Sequence, residues 1–331
     1  MLWIILAPIL LYIIIELFTF ATNARCTSKV CLIGKTALII GGNTGLGYEL
    51  AKALATRGCT VIIADYEKAT ESARQIIEET HNPNIIAKHV DLRSFKSVRK
   101  FAKDIVTSFD AIHILMNNAG IGDITYEMTE DGVQTIMQIN YFSHFLLTHL
   151  LAGLLIKSAP SRIIFTSSIA AYNANLTIEN LKGERPEASG IMESAAYGNS
   201  KLALAIFSRS LAKKLENTGV TSNCLHPGFV KTKIWQGIRE VGPKIRFYSW
   251  FAYNVLFGKN AEEGVQTMLH LCCSDDVKNV SGKFFFECVP SWQPKKVHDE
   301  KLRADIWKLS EEVVQLKPDE KLDCVLKSIK F

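Results

Sequence analysis

Tyr197 and Lys201 stand four residues apart in a stretch, 196–216, that is patterned as a helix. That spacing puts both side chains on one helix face. A free phenol titrates near 10 and is a poor base at neutral pH, but a lysine cation beside it stabilises the phenolate. Such a pair can take a proton from an alcohol hydroxyl or return one to a carbonyl. Any amphipathic helix can carry this spacing, so its weight depends on what the rest of the chain supplies.

A second cluster supplies a partner for that chemistry. An apolar β-branched run, 36–40, leads straight into Gly41-Gly-Asn-Thr-Gly45-Leu-Gly47, and a helical pattern follows. Glycines at such a turn let the backbone approach a pyrophosphate closely. The helix N-terminus adds free N–H groups and a partial positive charge. The next strand-like run ends at Asp65, where a carboxylate can bind the ribose hydroxyls of NAD.

Positioning these groups takes a scaffold of alternating elements. Strand-like runs are read at 36–40, 60–64, 85–90, 112–116, 162–166, 221–225 and 283–286, with helical patterns between them. Strands buried on both faces and alternating with helices predict an α/β fold. The expectation is a single Rossmann-like domain, a doubly wound parallel sheet of about seven strands. No linker between two cores is visible. Two segments break the rhythm, the polar, turn-rich 173–194 and the aromatic 235–258.

The chain has 331 residues, 48% hydrophobic and 21% charged, which predicts a packed core. Its net charge of +5 is mild. No basic block with interleaved aromatics appears, which argues against a nucleic-acid partner. The eight cysteines form no C-x-x-C pair or zinc-like spacing, so no metal site is expected, and thiols in a reducing compartment are. Residues 1–21 are almost wholly apolar, with Glu16 the only charge, while Arg25, Lys29 and Lys35 follow the run. A cleavable signal would carry its positive charges ahead of the apolar run. The order found predicts an uncleaved membrane anchor with the body of the protein in the cytosol. The organisation expected is an anchor at 1–21, a juxtamembrane linker at 22–33, the main domain at 34–290 and a C-terminal helical extension at 291–331.

Taken together, these motifs resemble the short-chain dehydrogenase/reductase family over roughly 34–286. The family's Gly-x-x-x-Gly-x-Gly matches Gly41, Gly45 and Gly47, and its Asn-Asn-Ala-Gly matches Asn117 to Gly120. Its helix asparagine matches Asn140, its strand-end serine Ser168, and its tyrosine and lysine Tyr197 and Lys201. The Pro-Gly turn with a downstream threonine matches Pro227, Gly228 and Thr232. Within the family the chain is most similar to retinol dehydrogenases and related membrane-anchored lipid oxidoreductases. That rests on the apolar N-terminus, Asn140-Tyr-Phe-Ser-His-Phe, the Ser-Lys-Leu-Ala after Tyr197, His226-Pro-Gly and the long interval from Ser168 to Tyr197.

The resemblance implies roles. Tyr197 is the general acid/base. Lys201 lowers its pKa and binds the nicotinamide ribose, Ser168 orients the substrate oxygen, and Asn140 fixes a water in a proton path. Ser167 is the alternative to Ser168. The cofactor is held by Gly41, Asn43, Thr44, Gly45, Leu46 and Gly47, by Asp65, Asp91, Asn118, Ala119 and Gly120, and by Tyr197, Lys201, Pro227, Gly228 and Thr232. Asp91 has an alternative reading as an ordinary helix N-cap. His144 and His226 read as packed histidines rather than acid–base groups.

Two positions depart from the pattern. Ile40 replaces a threonine before the glycine motif. Asp65 stands where many retinol dehydrogenases carry an arginine nearby for the 2′-phosphate of NADP, and it would repel that phosphate. NAD is therefore the expected cofactor, with NADP second. The aromatic 235–258 segment lies where the family covers its substrate, which suits a lipid-like alcohol or carbonyl and a membrane interface. The expected partners are that substrate, the membrane and a second copy in a homodimer, and the expected location is the endoplasmic reticulum membrane facing the cytosol. The alternative function is a nicotinamide-binding scaffold or sensor without turnover. A Rossmann methyltransferase stands third, since it has no use for Tyr197 and Lys201.

Overall fold

The computed structural model describes residues 23–67, 69–122, 126–183, 193–230 and 259–328. The expected anchor at 1–21, the whole of the 235–258 segment and Thr232 lie outside the described residues.

Eight strands form one sheet in the order β3-β2-β1-β4-β5-β6-β7-β8. They are β1 (Thr36–Ile40), β2 (Thr60–Asp65), β3 (Ile85–His89), β4 (Ile114–Asn117), β5 (Ser161–Thr166), β6 (Val220–Leu225), β7 (Phe284–Phe286) and β8 (Val289–Ser291). The first seven are parallel, as the alternating pattern predicts. The eighth corrects the expectation of about seven parallel strands. It runs antiparallel to β7, with Phe286 opposite Val289. The chain turns back there on Glu287 and Cys288, at φ values of 50° and 60°, through a turn that carries no glycine or asparagine to announce it.

Side chains alternate across the sheet with period two. Leu38 and Ile40 of β1 enter one core, and Ala37 and Ile39 enter the other. The first core is roofed by helices Phe95–Ser108, Thr135–Lys157 and Glu193–Lys214, the second by Gly45–Ala55, Ala69–Thr80 and Gln266–Cys273. Helix Thr135–Lys157 is long and apolar enough to cross a bilayer, but 83% of its apolar window is buried inside the fold. Residues beyond the sheet close the first core. Trp307 of helix Glu300–Val313 packs against Phe145, His149 and Phe207, and Tyr141 Oη lies 2.7 Å from Ser310 Oγ.

Strand order reverses between β1 and β4. In open parallel sheets ligands bind outside the carboxyl ends of the strands at such a switch point. A cavity of about 1060 Å³ lies there, and it touches residues that follow β1, β2, β3, β4, β5 and β6.

Candidate active site

The glycine loop occupies one end of the cavity. Gly41 has φ 79°, and a Cβ there would lie 2.7 Å from Ala119 Cα. A Cβ on Gly47 would lie 1.8 Å from the Gly41 carbonyl oxygen. These two glycines let β1, the loop and the following helix close on one another. Gly41, Thr44, Gly45 and Leu46 line the cavity, whereas Asn43 and Gly47 support them from behind. The helix Gly45–Ala55 has no side-chain cap from Thr44 and no acidic residue in its first turn. Its leading N–H groups and dipole are thus left for an anion. This cradle fits a dinucleotide pyrophosphate.

Asp65 ends β2 at the cavity wall. One carboxylate oxygen accepts from Asn43 N at 3.2 Å and the other from Tyr66 N at 2.8 Å. Asp91 also lines the cavity and accepts from Arg93 N at 2.8 Å. It is not the N-cap of helix Phe95–Ser108. Ser94 fills that place, accepting from Ser97 N. Arg93 is paired with Glu127 at 2.6 Å.

Asn118, Ala119 and Gly120 follow β4 and line the middle of the cavity. Asn118 and Ala119 both donate backbone N–H to the Ile40 carbonyl, and Asn118 Nδ2 donates to the Gly41 carbonyl at 2.9 Å. The Ile40 side chain is fully buried in the core, so the loop is held by its backbone where a threonine would add a hydroxyl. His144 holds the same loop from below, at 3.0 Å from Asn117 Oδ1 and 2.9 Å from the Ala119 carbonyl. Burial pushes its pKa down to about 4, so it is a neutral structural group.

The four expected catalytic side chains converge at the other end. Asn140 sits in a widened turn of its helix, where Ser143 N bonds the Gln138 carbonyl five residues back. Single π-type turns of this kind recur at functional sites. Here the turn leaves Asn140 to bond Ile121 twice, accepting from N at 2.8 Å and donating to O at 2.9 Å, and to donate to Ser200 Oγ at 3.0 Å. The Ile121 and Ser200 bonds use both Nδ2 hydrogens. Asn140 thereby fixes Gly120, where a Cβ would lie 3.0 Å from Lys201 Nζ and 3.3 Å from Asn140 Oδ1.

Lys201 is only 2% exposed. Its ammonium donates to the Thr166 carbonyl at 2.9 Å and lies 5.5 Å from the centre of the Tyr197 ring. Burial lowers its pKa to about 8, which leaves it mostly protonated at neutral pH. Ser168 stands two residues beyond β5 and caps the short helix Ile169–Asn173, its Oγ accepting from Ala170 N at 3.2 Å. Its own hydrogen remains to donate into the cavity that it lines. Ser167 is spoken for, since its Oγ donates to the Lys201 carbonyl at 2.7 Å and braces that helix. This distinguishes the two serines, which the sequence alone leaves as alternatives.

Pro227 and Gly228 complete the wall. Sequence reasoning passed over the partly buried Ile121 and Ile139 and the half-exposed Ile169 and Phe229, all of which line the cavity. They carry no polar signal, and an apolar residue of a site reads as core until its neighbours are known. His226 also lines it, stacked on Phe286 at 5.4 Å. Burial holds its pKa near 4, and its Nδ1 has no hydrogen-bond partner among the described residues. Among the described residues no cluster of His, Cys, Asp or Glu could hold a metal.

Comparison with known proteins places this geometry. Residues 35–179 match the short chain dehydrogenase family model, and 186–286 match a model described as enoyl-(acyl carrier protein) reductase. Retinol dehydrogenase 12 of Bos taurus is 36% identical over 300 residues, 90% of this chain and 92% of the relative. Retinol dehydrogenase 11 of Mus musculus is 36% identical over 315 residues, 94% and 96%. Retinol dehydrogenase 14 of Mus musculus is 37% identical over 296 residues, 85% and 86%. Among solved structures, an uncharacterized protein from Mycobacterium paratuberculosis aligns with TM-score 0.69 at 25% identity, covering 89% of this chain and 98% of that one. The RhlG/NADP active-site complex of Pseudomonas aeruginosa aligns with TM-score 0.60 at 26% identity, covering 77% and 94%.

Proposed function

Since the chain belongs to the short-chain dehydrogenase/reductase family, as an NAD(P)-dependent oxidoreductase related to the retinol dehydrogenases, we propose that it interconverts a hydrophobic alcohol with its aldehyde or ketone, and uses NAD. The observation that carries this reading is the convergence of Asn140, Ser168, Tyr197 and Lys201 at one end of a single cavity whose other end holds Asp65.

A bound nicotinamide cofactor supplies or accepts the hydride. The chain's own groups handle the oxygen and its proton. Ser168 Oγ–H donates to the substrate oxygen and fixes its direction. Tyr197 takes the hydroxyl proton in oxidation and gives it back in reduction. The buried Lys201 cation favours the phenolate over the phenol. Asn140 holds the backbone at Gly120 and Ile121, against which the lysine is placed.

Cofactor choice is supported by charge. Arg93 and Lys201 are the lysines and arginines lining the cavity among the described residues; Arg93 is paired with Glu127, and Lys201 is bonded to Thr166 O. Both cations already have partners, and Asp65 carries its charge at the ribose end of the cavity. The substrate class is supported by the apolar lining at Ile121, Ile139, Ile169 and Phe229. Retinol leads by relationship, with sterol, steroid and isoprenoid alcohols as rivals. The apolar residues 1–21 support a membrane anchor, and we assign the enzyme to the endoplasmic reticulum membrane with its catalytic domain in the cytosol.

The test is a panel of lipid alcohols and aldehydes assayed with both cofactors on membrane-bound enzyme. Turnover abolished in Tyr197→Phe with NAD binding retained supports an enzyme. NAD binding with no turnover of any substrate by the wild type would leave a binding protein instead.

A further inference from the structure

We propose that the rim of the sheet around the β7–β8 hairpin is the face that rests on the bilayer, so that the cavity mouth opens at the lipid surface. This rests on reading residues 1–21 as an anchor, and it goes further by fixing which end of the fold meets the membrane.

The hairpin turn is the starting point. Glu287 and Cys288 both have positive φ, 50° and 60°, a conformation that costs non-glycine residues energy and normally selects Asn-Gly. Strained residues persist where their surroundings hold them. One Glu287 oxygen binds the Lys259 ammonium, the other accepts from Ala24 N at 2.9 Å, and Cys288 N donates to Thr267 Oγ1 at 3.2 Å. A single carboxylate thus ties together three points far apart in sequence.

The tie to Ala24 fixes where the preceding segment begins. Glu287 follows the carboxyl end of β7, the same end of the parallel sheet as the cavity. From Ala24 the chain descends the side of the fold. Cys26 N donates to Gln266 Oε1 at 3.0 Å, Ser28 Oγ donates to the Cys273 carbonyl at 3.4 Å, and Leu32 N donates to the Arg57 carbonyl at 2.8 Å, just before β1 enters the sheet from its amino end. Ala24, three residues after the apolar run, therefore lies beside the catalytic rim rather than at the opposite end. Val230 and Lys259, the described residues that flank 231–258, pair with each other at this rim too.

The described surface at this rim is apolar. Val289, which pairs with Phe286 beside the turn, is 58% exposed and Phe286 38%. Phe286 stacks on His226, and Phe229, 50% exposed, meets the same ring edge-on at 6.1 Å. Exposed apolar groups that run together mark an interaction surface. Lipid is the occupant indicated because the chain brings its own apolar segment to the root of the patch. Arg25 and Lys29, both exposed, follow that segment where headgroups would lie. Phe229 belongs both to the patch and to the cavity wall, so a bilayer-dissolved alcohol reaches the site without crossing water.

The experiment places a photoreactive benzophenone side chain at Phe286, at Val289 or at Ile33 in the full chain, bound to dioleoylphosphatidylcholine vesicles. Ile33 is the control, because it is 78% exposed and precedes the amino end of β1. Lipid adducts from positions 286 and 289 should exceed those from 33 by about tenfold, the contrast expected between contact and its absence. Equal labelling at 33, protein–protein adducts in place of lipid adducts, or a chain that does not associate with the vesicles would each overturn the proposal. Labelling is read without turnover. Strong lipid labelling at 289 in a preparation that oxidises no alcohol would sustain the docking face and defeat the proposed function.

Discussion

Replacing Asp65 by asparagine removes one charge and almost no volume, which makes it the sharpest test of the cofactor end of the site. The carboxylate lies in the cavity wall and accepts from Asn43 N and Tyr66 N. A 2′-phosphate held where the ribose hydroxyl would sit places like charges about 5 Å apart. At an effective dielectric near 20 that repulsion is roughly 3 kcal/mol per pair of unit charges. The wall is only partly buried, and salt reduces the figure to about 1.5–3 kcal/mol. In Asp65→Asn the specificity constant for NADP should rise by about ten- to a hundredfold. For NAD it should fall by about fivefold, because the amide offers one oxygen where the carboxylate offers two. The assay is initial rates on membrane-bound enzyme with one lipid alcohol and each cofactor in turn. A ratio of the two constants that moves by less than about threefold would refute the charge argument. So would wild-type enzyme that already uses NADP about tenfold better than NAD.

Further outcomes follow from the same geometry. Tyr197→Phe should lower turnover by at least about a hundredfold, the range for losing a positioned acid–base group, while NAD still binds by fluorescence titration. Asn140→Ala strands the Ile121 N–H and C=O, and should cost about 1–3 kcal/mol in urea unfolding as well as most of the activity. In Gly47→Ala the new methyl meets the Gly41 carbonyl, so cofactor binding should be lost with a similar penalty in stability. His144, His149 and His226 are all buried and held near pKa 4 by desolvation. The unfolded chain binds their protons first, so stability is intact above about pH 6.5 and falls as the pH drops toward 4. At pH 5 the loss is up to about 2 kcal/mol per histidine. His149→Phe, at a ring whose Nε2 has no hydrogen-bond partner among the described residues, should lose correspondingly less between pH 7 and pH 5, and an identical loss would sink the assignment.

How much of this was legible beforehand depends on whether a feature is local. The strands could be read because Ala37 to Ile40 alternate between two apolar cores, leaving a continuous hydrophobic run in the sequence. The glycine loop could be read because its steric needs fall within seven residues. Ser168 was chosen over Ser167 by resemblance alone, because the physical difference between them is the Lys201 carbonyl, which only the folded helix brings to Ser167. The widened turn at Asn140 left no trace either, since its cause is a pair of bonds to Ile121 in a loop after another strand. β8 was missed for the same reason. Its turn has the φ values of an Asn-Gly turn without those residues, and the bonds that support it reach Ala24, Lys259 and Thr267.

That last case links fold to function. A turn encoded locally would need no help, and a hairpin built on Asn-Gly could form wherever the chain led. Glu287 and Cys288 make the hairpin conditional on Ala24 and Lys259 being in place. The same carboxylate then holds Ala24, three residues after the apolar N-terminal run, and Lys259, which follows residues 231–258, beside the catalytic cavity. Glu287→Gln separates the two effects. It keeps an acceptor for Ala24 N but gives up the ion pair with Lys259, whose side chain is 11% exposed. Breaking a largely buried pair by removing one charge costs about 3 kcal/mol or more. If the clamp positions the rim, KM for a vesicle-delivered alcohol should rise severalfold, with KM for NAD unchanged because the glycine loop and Asp65 are untouched. A rise in both constants together would mean that the turn serves stability alone.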